Sequence, residues 1–143
     1  MDIFKGFDRI FTVLVADDLP ENLALIRDIL ESPRCRVLLA RDGKEALDMA
    51  FQYRPDLVLL DVMMPELDGY QVCHELKAHR DTQLIPVVMI TALTDLGDKI
   101  RGIEAGADDF LNKPFNLAEF AARVRSLLRL KQNADAAKTP AVV

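Results

Sequence analysis

Two cysteines in 143 residues, Cys35 and Cys73, are too few and too far apart for a disulfide-stapled or zinc-centred fold. With no CxxC spacing they read as buried or half-buried free thiols. Positive charge is also in short supply. Eighteen Lys and Arg against 23 Asp and Glu leave a net charge of −5. A phosphate-backbone binder needs a basic face, so no direct nucleic-acid partner is expected. Long apolar runs are missing too. The amino terminus, with Lys5 and Asp8, has no apolar signal region, and nothing approaches membrane-spanning length. The expectation is a cytoplasmic chain with no membrane partner. Internal repeats and low-complexity tracts are lacking, while hydrophobic residues make up 50% of the chain, enough for one well-buried core.

What is present is a set of short apolar runs that end on chemistry. Leu57-Val58-Leu59-Leu60 stops at Asp61 and is followed by Met63-Met64-Pro65, where the proline ends regular structure. A short aliphatic run bounded by a turn suits a parallel strand covered on both faces. Asp61 then lies at the carboxyl edge of a sheet, where open α/β folds bind their ligands. Phe11 to Ala16 runs into Asp17-Asp18, Ile85 to Ile90 into Thr91, and Asp109 to Asn112 into Lys113-Pro114. Three carboxylates, a hydroxyl and an amine would meet at one end of one sheet.

Helical spacing fills the intervals. Residues 20–31 carry Leu23, Ile26 and Leu30 on one face, and Ser32-Pro33 ends them. Cys35 to Ala40 reads as a strand. Asp42 with Glu45 resembles a capping box ahead of a helix burying Ala46, Leu47, Ala50 and Phe51. Asp68 with Gln71 opens a third helix carrying Tyr70, Cys73, Leu76 and Lys77 and ending near His79. Residues 96–105 place Ile100 and Ile103 on one face, with Gly106 as a left-handed cap. Asn116 and Glu119 open a last helix that buries Leu117, Phe120, Ala121, Val124, Leu127 and Leu128. His74 and His79, five apart, do not share a helical face and so make no metal pair. Five strands alternating with five helices predict an α/β fold, a single parallel sheet with helices on both faces.

Asp17-Asp18, Asp61, Thr91 and Lys113-Pro114, in this order on successive strand ends, resemble the receiver domain of two-component response regulators. The resemblance spans residues 11–130, leaving 1–10 as an amino-terminal extension and 131–143 as a fraying helix end and tail or linker. It implies the doubly wound, flavodoxin-like receiver fold with five strands in the order 2-1-3-4-5. It implies a phosphoacceptor signalling domain that assists its own phosphorylation and dephosphorylation rather than an enzyme. Asp61 would accept the phosphoryl group, and Lys113 and Thr91 would contact its oxygens. Mg2+, or Mn2+ in its place, would be held by Asp18, Asp61 and the Met63 backbone carbonyl, with Asp17 acting through water. A cis Lys113-Pro114 bond and a switch built on Thr91 and Phe110 are implied as well; phenylalanine lacks the hydroxyl of the tyrosine common at that position.

The implied partners are a sensor histidine kinase or phosphotransfer protein and, on phosphorylation, a second copy of the chain. That second copy would meet the fourth helix, fifth strand and fifth helix, where Lys99, Arg101, Asp108, Asp109 and Arg123 offer charges of both signs. Met63 and Leu93, two residues beyond Asp61 and Thr91, cannot hydrogen-bond a water, which implies a long-lived phosphoryl group. Two rival readings fit less well. A Mg2+-dependent phosphohydrolase would want an acid where Met63 stands, and a flavodoxin-like cofactor binder would not offer Asp17-Asp18-Leu19-Pro20 to a phosphate.

Overall fold

The computed structural model describes residues 2–92 and 95–138. Five strands, β1 (Phe11–Ala16), β2 (Cys35–Ala40), β3 (Leu57–Asp61), β4 (Val87–Thr91) and β5 (Asp109–Asn112), alternate with five helices. The helices are α1 (Pro20–Leu30), α2 (Gly43–Tyr53), α3 (Gly69–Ala78), α4 (Leu96–Ala105) and α5 (Leu117–Lys138). The strands pair in parallel in the order β2-β1-β3-β4-β5. This is the doubly wound α/β arrangement expected, with the order reversing between β1 and β3, where such sheets leave a crevice for ligand.

Side-chain alternation divides the interior into two cores. Phe11, Val13 and Val15 of β1, Leu57 and Leu59 of β3 and Val88 and Ile90 of β4 pack beneath α1 and α5. Leu14, Val58, Leu60, Val87 and Met89 point the other way, under α2, α3 and α4. Because helices cover both faces, every position of β3 and β4 is buried and the strands read as unbroken aliphatic runs. The burial of Leu23, Ile26 and Leu30 on α1 follows the helical period.

Caps fix where the helices begin. Asp42 accepts from the Glu45 N–H at the start of α2. Asp68 and Gln71 form a reciprocal capping box at α3. Gly106 closes α4 with φ of +99°, a conformation that favours glycine. Asn116 accepts from the Ala118 and Glu119 N–H groups at α5.

Two expected burials fail, and the shared face of α4 turns outward. Phe51 is exposed and packs edge-on against the His79 ring at 4.9 Å. Leu117 is exposed on the first turn of α5. Ile100 and Ile103 face outward, because α4 packs through Gly102 and Ala105 instead. A methyl group at Gly102 would collide with the Phe110 ring, so the glycine lets β5 seat an aromatic beneath α4.

The first and last described segments both join the body. Ile3, Phe4 and Phe7, within the segment read as an extension, are buried in the α1/α5 core, and Phe7 meets Phe11 edge-on at 5.0 Å. Helix α5 continues through the first eight residues of the segment read as a fraying end and tail. There Asp135 accepts from Arg9 at 3.0 Å and from Lys131 at 2.8 Å. Among the described residues no helix is long and apolar enough to cross a membrane.

Candidate functional site

Each site residue stands where a strand runs out. Beyond β1, Asp17 is 1% exposed and its carboxylate is held from three sides. Leu19 N–H donates to Oδ1 at 2.9 Å, while Asn22 Nδ2 and Lys113 Nζ donate to Oδ2 at 3.2 and 3.0 Å. Pro20 at the first position of α1 gives up an N–H that a helix start leaves unpaired anyway. Asp18 is exposed. Asp61, the last residue of β3, is buried and accepts from the Met63 N–H at 3.2 Å. Gly69 allows α3 to begin directly against this strand end: a Cβ there would sit 2.5 Å from the Asp61 carbonyl oxygen. Lys113 follows β5, donates its backbone N–H to the Thr91 carbonyl at 2.8 Å, and precedes Pro114 through a cis bond. Its Nζ lies 3.6 Å from Asp61 Oδ2.

The adjacency of β1 and β3 brings Asp17, Asp18 and Asp61 together, with one oxygen from each within 4.8 Å of the others. Burial pushes the Asp61 carboxyl above its ordinary value, and Asp17 adds to the rise. Lys113 and the Met63 N–H oppose it, and Asp18 adds further. The Lys113 ammonium therefore does not offset the burial and the negative neighbours that raise Asp61. Clustered hard oxygens carrying excess negative charge are the donor set that Mg2+ takes, and these residues fit such a cation.

Thr91 ends β4 and is buried. Phe110 pairs in register with Met89 on the neighbouring strand. Both border a narrow space closed by Val62, Tyr70, Asp98 and Lys99. Leu93 lies outside the described residues. Met63 is 61% exposed at the mouth of the site. Of the charges expected to face a partner, Arg101, Asp108, Asp109 and Arg123 are engaged within the chain. Arg123 makes a two-pronged pair with Asp109 at 2.6 and 2.8 Å, and Asp108 accepts from Lys77 at 2.9 Å. Arg101 lies over the Tyr70 ring at 4.3 Å. Helix α4 also leaves Leu96, Ile100 and Ile103 exposed, interleaved with the exposed Arg101 and Glu104.

Two participants escaped the sequence reading. Asn22 reaches Asp17 from the third position of α1, a contact whose only signal is its place one turn after the acidic pair. Tyr70, read only as one of the residues at helical spacing on the third helix, donates its hydroxyl to the Asp98 carbonyl at 3.0 Å and so ties α3 to α4 beside Phe110.

Comparison with known proteins agrees with this geometry. Residues 13–125 match the response regulator receiver domain family. The chain is 50% identical over 119 residues to the response regulator PleD of Caulobacter vibrioides, covering 83% of this chain and 26% of PleD. It thus spans about a quarter of that relative's length. Among solved structures, the receiver domain of a signal transduction histidine kinase from Syntrophus aciditrophicus superposes with a TM-score of 0.78 at 35% identity. That match covers 93% of this chain and 97% of the other. The receiver domain of the sensor histidine kinase PA1611 from Pseudomonas aeruginosa, with magnesium coordinated in its active-site cleft, gives 0.77 at 33% identity, covering 83% and 98%. The chain belongs to the response regulator receiver domain family, the phosphoacceptor signalling modules of two-component systems.

Proposed function

We propose that Asp61 is the phosphoacceptor and that a sensor histidine kinase or phosphotransfer protein loads it from a phosphohistidine. The observation that carries this reading is the convergence of three carboxylates within 4.8 Å, with the Lys113 ammonium 3.6 Å from Asp61. Mg2+ would be held by Asp18, Asp61 and the Met63 carbonyl, with Asp17 acting through water, and Mn2+ suits the same oxygens. When bound, the cation supplies charge neutralisation to a site otherwise too negative for a phosphoryl dianion. An Asp61 oxygen forms the bond to phosphorus as the P–N bond to the donor imidazole breaks; the imidazole leaves with the electron pair and takes up a proton. Lys113 donates to one phosphoryl oxygen and the Thr91 hydroxyl to another, so the chain assists its own loading by positioning and charge.

The output is a population shift. Drawing Thr91 toward the phosphoryl group frees the space it shares with Phe110, and the ring turns inward and remodels the surface of α4, β5 and α5. A second copy of the chain then docks there. With Arg123, Asp109 and Asp108 engaged internally, the exposed Leu96, Ile100 and Ile103 supply the contact. Intact-mass spectrometry with a small acyl-phosphate donor tests the acceptor: one phosphoryl group is expected with Mg2+, and none in chelator or in Asp61→Asn. Labelling that persists in Asp61→Asn would refute the assignment.

A further inference from the structure

The resting lysine is not on the residue it is meant to serve. Lys113 Nζ is 3.0 Å from Asp17 Oδ2 and 3.6 Å from Asp61 Oδ2, so the closer partner is the aspartate that carries no phosphoryl group. The same Asp17 oxygen has a second donor, Asn22 Nδ2 at 3.2 Å. A carboxylate only accepts, so the Asn22 amide must turn its NH2 toward it. Asp17 is also almost wholly buried, which makes an abandoned oxygen costly.

We infer that Asn22 is a positioning residue that lets Lys113 leave Asp17. This deepens the phosphoacceptor reading and rests on it. When a phosphoryl group arrives on Asp61, the ammonium must move toward the new anion, and Asp17 Oδ2 loses its closest partner. Asn22 stays behind, fixed in the first turn of α1 by its backbone N–H on the Leu19 carbonyl at 3.1 Å, and keeps that oxygen bonded. Leu19 N–H meanwhile holds Oδ1. Without Asn22, Oδ2 would keep one donor in the resting state and none from this pair in the loaded state. Its removal therefore weighs on the loaded state.

The consequence is a coupling between Asn22 and Lys113 that an ordinary structural contact would not show. Beryllofluoride affinity at saturating Mg2+ reads it, measured by calorimetry on the wild type, Asn22→Ala, Lys113→Met and the double variant. Losing the Asn22 hydrogen bond costs more in the loaded state, where Lys113 no longer covers the same oxygen. A difference the size of one hydrogen bond to a charged group corresponds to about tenfold weaker binding for Asn22→Ala. In the Lys113→Met background Asn22 serves Asp17 equally in both states, so the further change to Ala should leave affinity within about twofold. Mg2+ affinity, titrated separately without beryllofluoride, should fall far less than tenfold in Asn22→Ala, since Lys113 still covers Asp17 there.

An equal loss in both backgrounds, or a loss matched by the fall in Mg2+ affinity, would overturn the inference by making Asn22 a structural or metal-site residue. So would an unchanged beryllofluoride affinity in Asn22→Ala. Each of these leaves the phosphoacceptor reading standing. A wild-type chain that binds no beryllofluoride in Mg2+ would overturn that reading, and the inference with it.

Discussion

Replacing Asp61 by Asn should make the metal-free protein more stable. Asp61 is 7% exposed and shares a 4.8 Å neighbourhood with two other carboxylates. At an effective dielectric of about 20, each neighbour at that separation disfavours the ionised form by about 3 kcal/mol, and Lys113 at contact distance favours it by about 4. Burial adds to the cost, while exposure of Asp18 lets solvent screen its share. The net relief expected at neutral pH is about 1 kcal/mol, read as a higher urea midpoint in chelator. The sign of the pH dependence follows from the raised Asp61 carboxyl. A group that holds its proton more tightly folded than unfolded carries no penalty below its ordinary value of 3.8, and the full penalty once pH exceeds the folded value. The advantage of Asn should therefore shrink as pH falls toward 3.8 and reach a plateau above the folded value. Mg2+ should invert the order, since the wild type keeps a ligand that the variant lacks and gains about 2.7 kcal/mol at one hundred times its dissociation constant. An unchanged or lower midpoint for Asp61→Asn in chelator, or a gain just as large near pH 4, would refute the electrostatic reasoning.

Met63→Asn places a hydrogen-bonding group at the exposed mouth of the site. It should shorten the phosphoryl lifetime by about tenfold, the worth of one hydrogen bond made to the attacking water; an unchanged decay of labelled protein would put the control of water elsewhere. Sedimentation velocity with beryllofluoride and Mg2+ should convert monomer to dimer, and Ile103→Glu should prevent it while leaving the ligand bound. A protein equally dimeric without beryllofluoride would separate association from loading. Gly102→Ala, which in an open helix would stabilise by about 1 kcal/mol, should here destabilise by about 1–3 kcal/mol, because the methyl meets the Phe110 ring. Adding Phe110→Leu should recover part of that loss in chemical denaturation, and no recovery would mean that the clash is relieved elsewhere.

Local sequence determined a good deal of this protein. Unbroken aliphatic runs place β3 and β4 because both sheet faces are covered, and the helical period on α1 names the residues it buries. Asp42, Asp68, Gly106 and Asn116 mark helix ends through bonds made within a few residues. The acidic and basic residues at strand ends were legible for the same reason: a parallel strand delivers its last residue to one edge.

Tertiary structure decided everything that depends on which neighbour an element finds. Alternation of strands and helices is the same for several strand orders, and only the pairing of β1 with both β2 and β3 brings Asp17 and Asp18 to Asp61. A period shows that Ile100 and Ile103 share a face of α4; that Gly102 packs inward instead was decided by where the sheet seats the Phe110 ring of β5. Ile3, Phe4 and Phe7 sit in a segment with no sustained period, and they are buried because α5 and β1 leave a gap that they fill. Asn22 meets Lys113 over one oxygen of Asp17 across 91 positions of sequence. No local pattern encodes that meeting, because it exists only once the sheet has set the ends of β1 and β5 on the same edge.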